Sequence, residues 1–150
     1  MDGGDENPHG ATTISQGEWA GWQYWAGDPF ETQSGPFYYR EQPDGSIRCA
    51  FRAEKKHMNG GGFMHGGCVM TFADFALFSI ATRELREQHG VTLTLSGEYI
   101  GTAHEGDLIE CTGEVLKAGK STIFVRGLIF TGDSPMMSFS GVIKKVGRRL

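Results

Sequence analysis

The order of apolar and polar residues along the chain singles out one long apolar run near its centre. This run covers residues 69–81 and is interrupted by one charged residue, Asp74. Glycines precede it closely, at 60–62 and as the pair Gly66 and Gly67. A glycine-rich loop leading into continuous apolar sequence is typical of a helix start. Because this helix is apolar on every side in its first half, other elements must wrap around it.

The sequence after the apolar run changes first to a charged helix end and then to strands. Basic residues at 83, 86 and 89, followed by Gly90, predict that the helix runs to about Gln88 and ends on that glycine. Four strands are predicted beyond it, at 91–100, 107–116, 122–130 and 136–145. One apolar helix followed by a four-strand meander implies an α+β fold, a curved antiparallel sheet wrapped around one long central helix.

The first third of the chain gives weaker signals. Residues 1–14 are polar and glycine-rich and predict a loose tail, which leaves 15–150 as a single domain. Tryptophans at 19, 22 and 25 recur every three residues and predict a short helix with one aromatic face. We expect this face to pack on the core, and the wall of a ligand site is the alternative. A hairpin is predicted from two apolar stretches, 37–41 and 47–53, with turn residues between them.

Asp74 is the strongest candidate for chemistry. Burying even a neutral polar group without partners costs roughly 2–7 kcal/mol, and an ionised carboxylate costs more. A chain therefore seldom places a carboxylate within an apolar helix for packing alone. We expect Asp74 to have a function.

The glycine pair at the helix start is the second candidate. Residues without side chains leave the first backbone N–H groups of a helix open to a substrate carbonyl oxygen, and the positive end of the helix dipole strengthens them. Such donors stabilise the oxyanion formed when an acyl carbon is attacked. A glycine-rich cap used only for tight packing is the alternative.

Helix geometry separates these two candidates within one chain. Asp74 lies nine residues beyond His65, which corresponds to about 13 Å along a helix and to the opposite side of it. A carboxylate and an amide donor must flank the same reacting carbon. We therefore expect Asp74 of one subunit to face Gly66 and Gly67 of another subunit in a symmetric dimer.

The spacing Asn-x5-His-Gly-Gly-x6-Asp, formed by Asn59, His65, Gly66, Gly67 and Asp74, resembles the signature of hot-dog-fold acyl-CoA thioesterases of the phenylacetate-degradation (PaaI) type. The resemblance covers residues 36–146 and extends to features after the helix. These are Thr92, Tyr99, the Gly106-Asp107 turn and the segment Leu116-Lys117-Ala118-Gly119-Lys120. The first 35 residues lie outside it.

The resemblance implies a hot-dog fold, dimers that often pair into tetramers, and cofactor-free hydrolysis of an acyl-CoA thioester. By position, Asp74 would be the base or nucleophile, and the amide of Gly66 or Gly67 the oxyanion donor. Thr92 would hold the attacking water, while Asn59 and His65 would orient the thioester and the loop. A non-catalytic acyl-CoA-binding or sensing module, or a hydratase on the same scaffold, are the alternatives.

Further residues are candidates for substrate binding. Phe63 and Phe78 could line an acyl pocket or belong to the core. The resemblance also suggests that the predicted hairpin turn contacts the phosphates of CoA, although a solvated turn explains its charges equally well; its residues are Lys117, Gly119, Lys120 and Ser121.

Composition excludes several other classes of protein. The net charge is −4, with 14 basic and 18 acidic side chains and no long run of one sign, so a nucleic-acid partner is not expected. Three cysteines without CxxC spacing predict free thiols in a reducing compartment, and the acidic N-terminus does not resemble a signal peptide. The apolar run is too short to span a membrane. We expect a cytoplasmic protein without metal or cofactor.

Overall fold

The structure, a computed structural model, describes residues 10–86 and 88–147. In these residues eight strands form one antiparallel sheet, and three α-helices and one 3-10 helix connect them. The strands are β1 (Thr12–Thr13), β2 (Gln23–Tyr24), β3 (Tyr38–Glu41), β4 (Ile47–Arg52), β5 (His89–Tyr99), β6 (Leu108–Ala118), β7 (Thr122–Thr131) and β8 (Ser134–Gly147). The helices are α1 (Pro29–Ser34), α2 (Gly66–Ile80) and α3 (Thr82–Leu85), and the 3-10 helix is Lys55–His57.

The strand order in the sheet is β1-β2-β3-β4-β6-β7-β8-β5. The predicted hairpin (β3 and β4) and the four predicted strands after the helix (β5 to β8) are confirmed. The prediction that those four strands form a simple meander is wrong, because β5 crosses to the far edge and pairs with β8, while β6 pairs with β4. This crossing carries β5 past the helix and leaves it as an edge strand.

Helix α2 occupies the centre of the fold and contacts β4, β5, β6, β7 and β8. Its buried side chains include Phe72, Phe75 and Leu77, which are fully enclosed. Two glycines of the sheet allow it to approach closely, since a Cβ at Gly113 would lie 2.6 Å from Ile80 Cδ1 and one at Gly141 would lie 2.8 Å from Leu77 Cδ1. The predicted curved sheet around a central helix is confirmed.

The end of the helix differs from the prediction. α2 stops at Ile80, where the Thr82 hydroxyl donates to the Ser79 carbonyl at 3.0 Å, and the single turn of α3 follows. Gly90 does not cap a helix but lies within β5, where a Cβ would be only 2.5 Å from Ile143 Cγ2. Close packing against β8, rather than helix termination, therefore requires glycine at this position.

The tryptophan segment does not form the predicted helix. It consists of turns around β2, and its rings pack on β3 from both sides of the sheet. Trp19 stacks on Tyr38 with ring centroids 4.5 Å apart, while Trp25 stacks on the next residue, Tyr39, at 4.9 Å. Consecutive strand residues point to opposite faces, so a spacing of three that fits a helix serves two faces of a sheet here. The predicted packing of a tryptophan on the core is confirmed for Trp25, which also contacts Phe75 at 5.3 Å.

The predicted loose tail at 1–14 extends into the described residues, and there the structure differs. Thr12 and Thr13 form β1, which pairs with β2, and Ala11 is fully buried. Backbone pairing with β2 supplies the order that the polar composition did not predict. Residues 1–9 lie outside the described residues, and the division into tail and domain stays a prediction.

Truncation of the helix core should destabilise the fold strongly. We expect Leu77→Ala to lower the free energy of unfolding by about 2–5 kcal/mol, because it leaves a cavity against the close-packed sheet. Leu116→Ala is the matched control, since Leu116 is 54% exposed and should cost under about 0.5 kcal/mol. Urea unfolding followed by circular dichroism measures both. Equal losses in the two variants would contradict the assignment of α2 as the centre of the core.

Candidate active site

The glycine-rich loop before α2 is shaped by Asn59. Its side-chain Oδ1 accepts hydrogen bonds from the backbone N–H groups of Gly61, at 2.9 Å, and Phe63, at 3.1 Å, and its own N–H donates to the Phe63 carbonyl at 2.6 Å. Short polar side chains often fold a loop in this way. Asn59 thus holds the loop in its folded shape, and its side-chain oxygen accepts two hydrogen bonds from the loop backbone.

His65 is the N-cap of α2. Its Nδ1 accepts from the Gly67 N–H at 2.9 Å, and its backbone N–H donates to the His57 carbonyl at 2.8 Å. The next two helix amides, of Cys68 and Val69, both donate to the His65 carbonyl. We call His65, Gly66 and Gly67 the amide turn.

These bonds distinguish the two glycines of the amide turn. The Gly67 N–H is occupied by the His65 side chain. The Gly66 N–H has no acceptor among residues 10–86 and 88–147, and it lies at the positive end of a 15-residue helix. The sequence left Gly66 and Gly67 as alternative oxyanion donors, and the hydrogen bonding favours Gly66.

Tyr99, at the end of β5, holds the amide turn from the other side. Its hydroxyl donates to the Gly66 carbonyl at 2.7 Å, and its ring would be 3.3 Å from a Cβ at Gly66. Glycine at this position therefore lets the ring pack on the helix start. No role for Tyr99 could be predicted from the sequence pattern alone, because its partner lies 33 positions away in the chain.

Asp74 lies half-buried on α2 and pairs with Thr92 on β5. The Thr92 hydroxyl donates to Asp74 Oδ1 at 2.7 Å. The ion pairs found in the described residues do not include Asp74. We call Asp74 and Thr92 the carboxylate pair. Because Thr92 is exposed on an edge strand, this pair lies at an open side of the molecule.

One stripe of α2 runs along this edge. Met70, Asp74 and Phe78 recur every four residues and so share a helix face. Asp74 contacts Thr92 of β5. On either side of Thr92 this stripe packs against a glycine of β5. A Cβ at Gly90 would be 3.2 Å from Phe78 Cε1, and one at Gly97 would be 3.3 Å from Met70 Cε. The predicted pocket residue Phe78 is thus half-buried one turn beyond Asp74.

The amide turn and the carboxylate pair do not meet within one chain. Gly66 and Asp74 are eight residues apart on the same helix, which corresponds to about 12 Å along its axis. Phe63 lies on the amide-turn side, 46% exposed, with its ring 5.1 Å from that of His104. A single chain therefore presents the amide turn and the carboxylate pair at separate places along α2.

The predicted phosphate-binding turn joins β6 and β7. Gly119 N–H donates to the Thr122 carbonyl at 2.8 Å, and Lys145 Nζ donates to the Gly119 carbonyl at 3.1 Å, while Lys117, Lys120 and Ser121 are exposed. Strand register relates this turn to the carboxylate pair, because Thr92, Ile143 and Ile123 form one row across β5, β8 and β7. Two strand spacings, about 10 Å, separate Thr92 from β7, next to the turn.

A second carboxyl group, Glu31, lies near Asp74. Glu31 belongs to the first turn of α1, which packs against α2. Burial, followed by the nearby charges of Asp28 and Asp74, raises the pKa of Glu31 to about 8. The sequence did not single out Glu31. The available signal was Asp28-Pro29, which is the beginning of α1, because Asp is a good N-cap and Pro is favoured at the first helical position.

The described part of the chain gives no support for a metal site or for a reactive thiol. No group of three or more His, Cys, Asp or Glu side chains is placed to hold a metal ion there. Burial raises the pKa of the Cys49 thiol to about 12 and that of Cys68 to about 11, which suppresses the reactive thiolate.

None of the helices in residues 10–86 and 88–147 has the length and apolar character needed to cross a bilayer.

The chain is similar in sequence or in structure to known proteins. Over 109 residues the chain is 34% identical to a predicted esterase of Pseudomonas aeruginosa, covering 72% of this chain and 81% of that protein. It is 31% identical to acyl-coenzyme A thioesterase 13 of Homo sapiens over 99 residues, 63% of this chain and 68% of that protein. A hypothetical thioesterase from Streptococcus pneumoniae, solved with coenzyme A, superimposes with a TM-score of 0.68 at 19% identity, over 79% of this chain and 93% of that one.

The family itself is established by the matched region. Residues 61–137 match the thioesterase superfamily, and this region includes the amide turn, the carboxylate pair and the strands β5 to β7. The predicted hot-dog fold is confirmed by the structural similarity, whereas the phenylacetate-degradation type stays a prediction. With its central helix, curved sheet and matched region, the chain belongs to the thioesterase superfamily.

Proposed function

We propose that this protein hydrolyses an acyl-CoA thioester to the free acid and CoA, at a site that two copies of the chain form together. The observation that carries the proposal is the pair of half-sites on α2. One offers an unoccupied N–H group at Gly66, and the other offers a carboxylate held by a hydroxyl at Asp74. Thioester hydrolysis needs both, an oxyanion donor and a base, on the two sides of one carbonyl carbon.

The edge strand β5 explains how two copies would bring the half-sites together. In the described residues β5 pairs only with β8, and its other edge presents open backbone groups beside exposed apolar side chains. Val91 is 47% exposed and Leu93 is 51% exposed. A long apolar edge of this kind favours pairing with another strand. Two-fold pairing through β5 would set Asp74 of each copy toward the amide turn of its partner.

Asp74 acts as a general base in this proposal. Thr92 donates its only hydroxyl hydrogen to Asp74 Oδ1, so its oxygen lone pairs can accept a hydrogen from a water molecule. Asp74 Oδ2 can accept the second hydrogen of the same water. Asp74 then removes a proton as the water attacks the acyl carbon, and the Gly66 N–H stabilises the oxyanion until the thiolate of CoA leaves. Direct attack by Asp74 is the alternative route.

The acyl-CoA class is supported by two similar proteins and by charge. Acyl-coenzyme A thioesterase 13 carries that substrate in its name, and the Streptococcus pneumoniae protein was solved with coenzyme A. In this chain, Lys117 and Lys120 lie exposed on the β6–β7 turn and can approach the phosphates of CoA. Phe63 and Phe78 are available to contact the acyl group. We expect the protein to act in the cytoplasm.

A panel of acyl-CoAs with a thiol-trapping dye tests the proposal directly. Asp74→Asn should lower kcat/KM by roughly 10²- to 10⁴-fold, because it removes the base while keeping the shape of the side chain. Thr92→Val should lower it by about 10- to 100-fold, as expected for losing a hydrogen bond to a charged group. Thr92→Ser is the matched control and should keep most activity. Tight acyl-CoA binding without thiol release in the wild-type protein would instead identify a binding or sensing module.

The role of the Gly66 N–H can be tested separately from the effect of adding a side chain at this position. Gly66→Pro removes the N–H at the first helical position, where proline is tolerated, and His65 already has the extended conformation that a following proline requires. Gly66→Ala adds a Cβ at the same contact with Tyr99 but keeps the N–H. We expect Gly66→Pro to lose about 10²- to 10³-fold in kcat and Gly66→Ala to lose much less.

The same variants test whether the site is shared. Asp74→Asn and Gly66→Pro chains, each inactive alone, should recover activity when they are unfolded, mixed in equal amounts and refolded together. In a two-fold dimer half of the molecules are mixed, each with one intact site, so about one quarter of wild-type activity should return. Absence of recovery, although mixed dimers form, would mean that both half-sites act within one chain.

Isotope-labelled water distinguishes whether Asp74 acts as a general base or as a nucleophile. In a single turnover in ¹⁸O-water, a water-base mechanism puts the label directly into the product acid. Covalent attack by Asp74 would put the first label into the enzyme carboxylate instead. Mass spectrometry of the product and of the peptide that contains Asp74 measures both.

A further inference from the structure

Strand β5 bonds to α2 at both parts of the candidate site. Near its start, the Thr92 hydroxyl donates to Asp74 Oδ1 at 2.7 Å, and at its end the Tyr99 hydroxyl donates to the Gly66 carbonyl at 2.7 Å. Thr92 and Tyr99 are seven positions apart in the chain. In a regular strand, side chains seven positions apart point to opposite faces of the sheet. A regular β5 would therefore present only one of the two hydroxyl groups to the helix.

An extra residue in β5 turns both hydroxyl groups to the same face. Thr92 pairs with Ile143 of β8 and Tyr99 pairs with Met137, so seven positions along β5 correspond to six along β8. The register shifts between Thr92 and Thr94, where β5 has one residue more than its partner strand. Ile143 and Met137 are fully buried and so face the core. The shift therefore lets one strand hold the helix at Asp74 and at Gly66.

The peptide group between Gly66 and Gly67 is bonded on both of its sides. Its carbonyl accepts from the Tyr99 hydroxyl at 2.7 Å, and its N–H, that of Gly67, donates to His65 Nδ1 at 2.9 Å. Glycine has the greatest backbone freedom of all residues, so two adjacent glycines keep a fixed direction only where neighbouring groups hold them. Hydrogen bonds to one peptide group also strengthen each other. These two bonds fix the backbone directly beside the Gly66 N–H.

The Tyr99 hydroxyl is placed to orient this backbone rather than to act on a substrate. Its single hydrogen is donated to the Gly66 carbonyl. A Cβ at Gly66 would lie 3.3 Å from Tyr99 Cε1 and 3.3 Å from the hydroxyl oxygen, so the ring packs directly beside the first helical residue. Tyr99 is also 54% exposed, and burial in the core therefore does not account for its position.

We propose that Tyr99 is a positioning residue of the active site, which orients the Gly66 N–H toward the substrate oxygen by bonding the Gly66 carbonyl. This inference rests on the proposed function. An oxyanion donor is effective when it already points to the place where charge develops, because a donor that must first reorient loses part of its stabilising effect. Tyr99 supplies this order at a turn whose glycines do not supply it themselves.

The proposal gives β5 a double role in the site. Through Thr92 the strand holds the carboxylate of Asp74, and through Tyr99 it holds the amide turn. β5 is also the edge strand through which the two copies would pair. One strand thus determines where both groups lie relative to the two-fold axis of the proposed dimer.

Tyr99→Phe tests the proposal, because it removes the hydroxyl and keeps the ring. It should lower kcat by about 3- to 10-fold, as expected for one hydrogen bond, and change KM by less than about twofold. Tyr38→Phe is the matched control and should keep full activity, since Tyr38 lies on β3 and stacks on Trp19. The acyl-CoA assay and thermal unfolding are recorded for each variant. A lower stability with an unchanged kcat of the folded protein would make Tyr99 a structural residue only and would overturn the proposal.

A double-mutant cycle with Gly66→Pro shows whether Tyr99 acts through the Gly66 N–H. In the Gly66→Pro protein this N–H is absent, so removal of the Tyr99 hydroxyl should cost less than about twofold in kcat there. The full loss of about 3- to 10-fold in both backgrounds would contradict the proposal, because Tyr99 would then act on some other group.

A further measurement does not depend on activity. In protein with ¹⁵N-labelled glycine, the Gly67 N–H should exchange with solvent about 3- to 10-fold faster in Tyr99→Phe than in the wild-type protein or in Tyr38→Phe, because the turn opens more often once its carbonyl is released. Unchanged exchange would overturn the anchoring of the turn by Tyr99. If no acyl-CoA is hydrolysed although Gly67 responds as expected, the proposed function fails and the anchoring stands. Hydrolysis that Tyr99→Phe leaves unchanged would remove only the role of Tyr99.

Discussion

The fold depends on the burial of one helix that has apolar side chains on nearly every face. Phe72, Phe75 and Leu77 are almost completely buried, and rings from β3, β4 and α2 pack together around them. To enclose such a helix the sheet must curve and must approach it closely, which is why glycine is needed where Ile80 and Leu77 touch the strands. Among the described elements, the least covered stripe of α2 is the one that faces the edge strand β5. The carboxylate of Asp74 lies on that stripe, so the packing of the core also determines where the proposed chemistry would take place.

The parts of the fold that were predictable from sequence are those that depend on local patterns. A continuous apolar run identified α2, and alternating apolar and polar residues between turn residues identified β3 to β8. The order of the strands was not predictable in this way, because pairing of β5 with β8 is decided by how the sheet covers the helix and not by neighbours in the chain. Gly90 illustrates the difference: it has the sequence context of a helix cap, yet its role is a tertiary contact with Ile143.

The candidate site also consists of residues that local patterns identify and residues that they do not. The segment from Asn59 to Gly67 was identified because it is one contiguous loop, and Asp74 because it is a charged residue within an apolar run. The partners that hold them, Thr92 and Tyr99, are ordinary strand residues whose significance comes from the position of β5; for Thr92 only the family resemblance pointed to a role. Glu31 was missed although Asp28-Pro29 marked a helix start, because six helical residues between turns give too little periodicity to be recognised.

The separation of the two half-sites along α2 has a physical reason. An acidic side chain in the first turn of a helix accepts hydrogen bonds from the free amides there and neutralises the positive end of the dipole. The first turn of α2 contains no acidic residue, and His65 occupies the Gly67 N–H while leaving that of Gly66 open. A carboxylate close enough to act with this amide in the same chain would bond it and remove the oxyanion donor. With Asp74 two turns further along the helix, the proposed mechanism can bring donor and base together only through a second copy of the chain, with the substrate carbonyl between them.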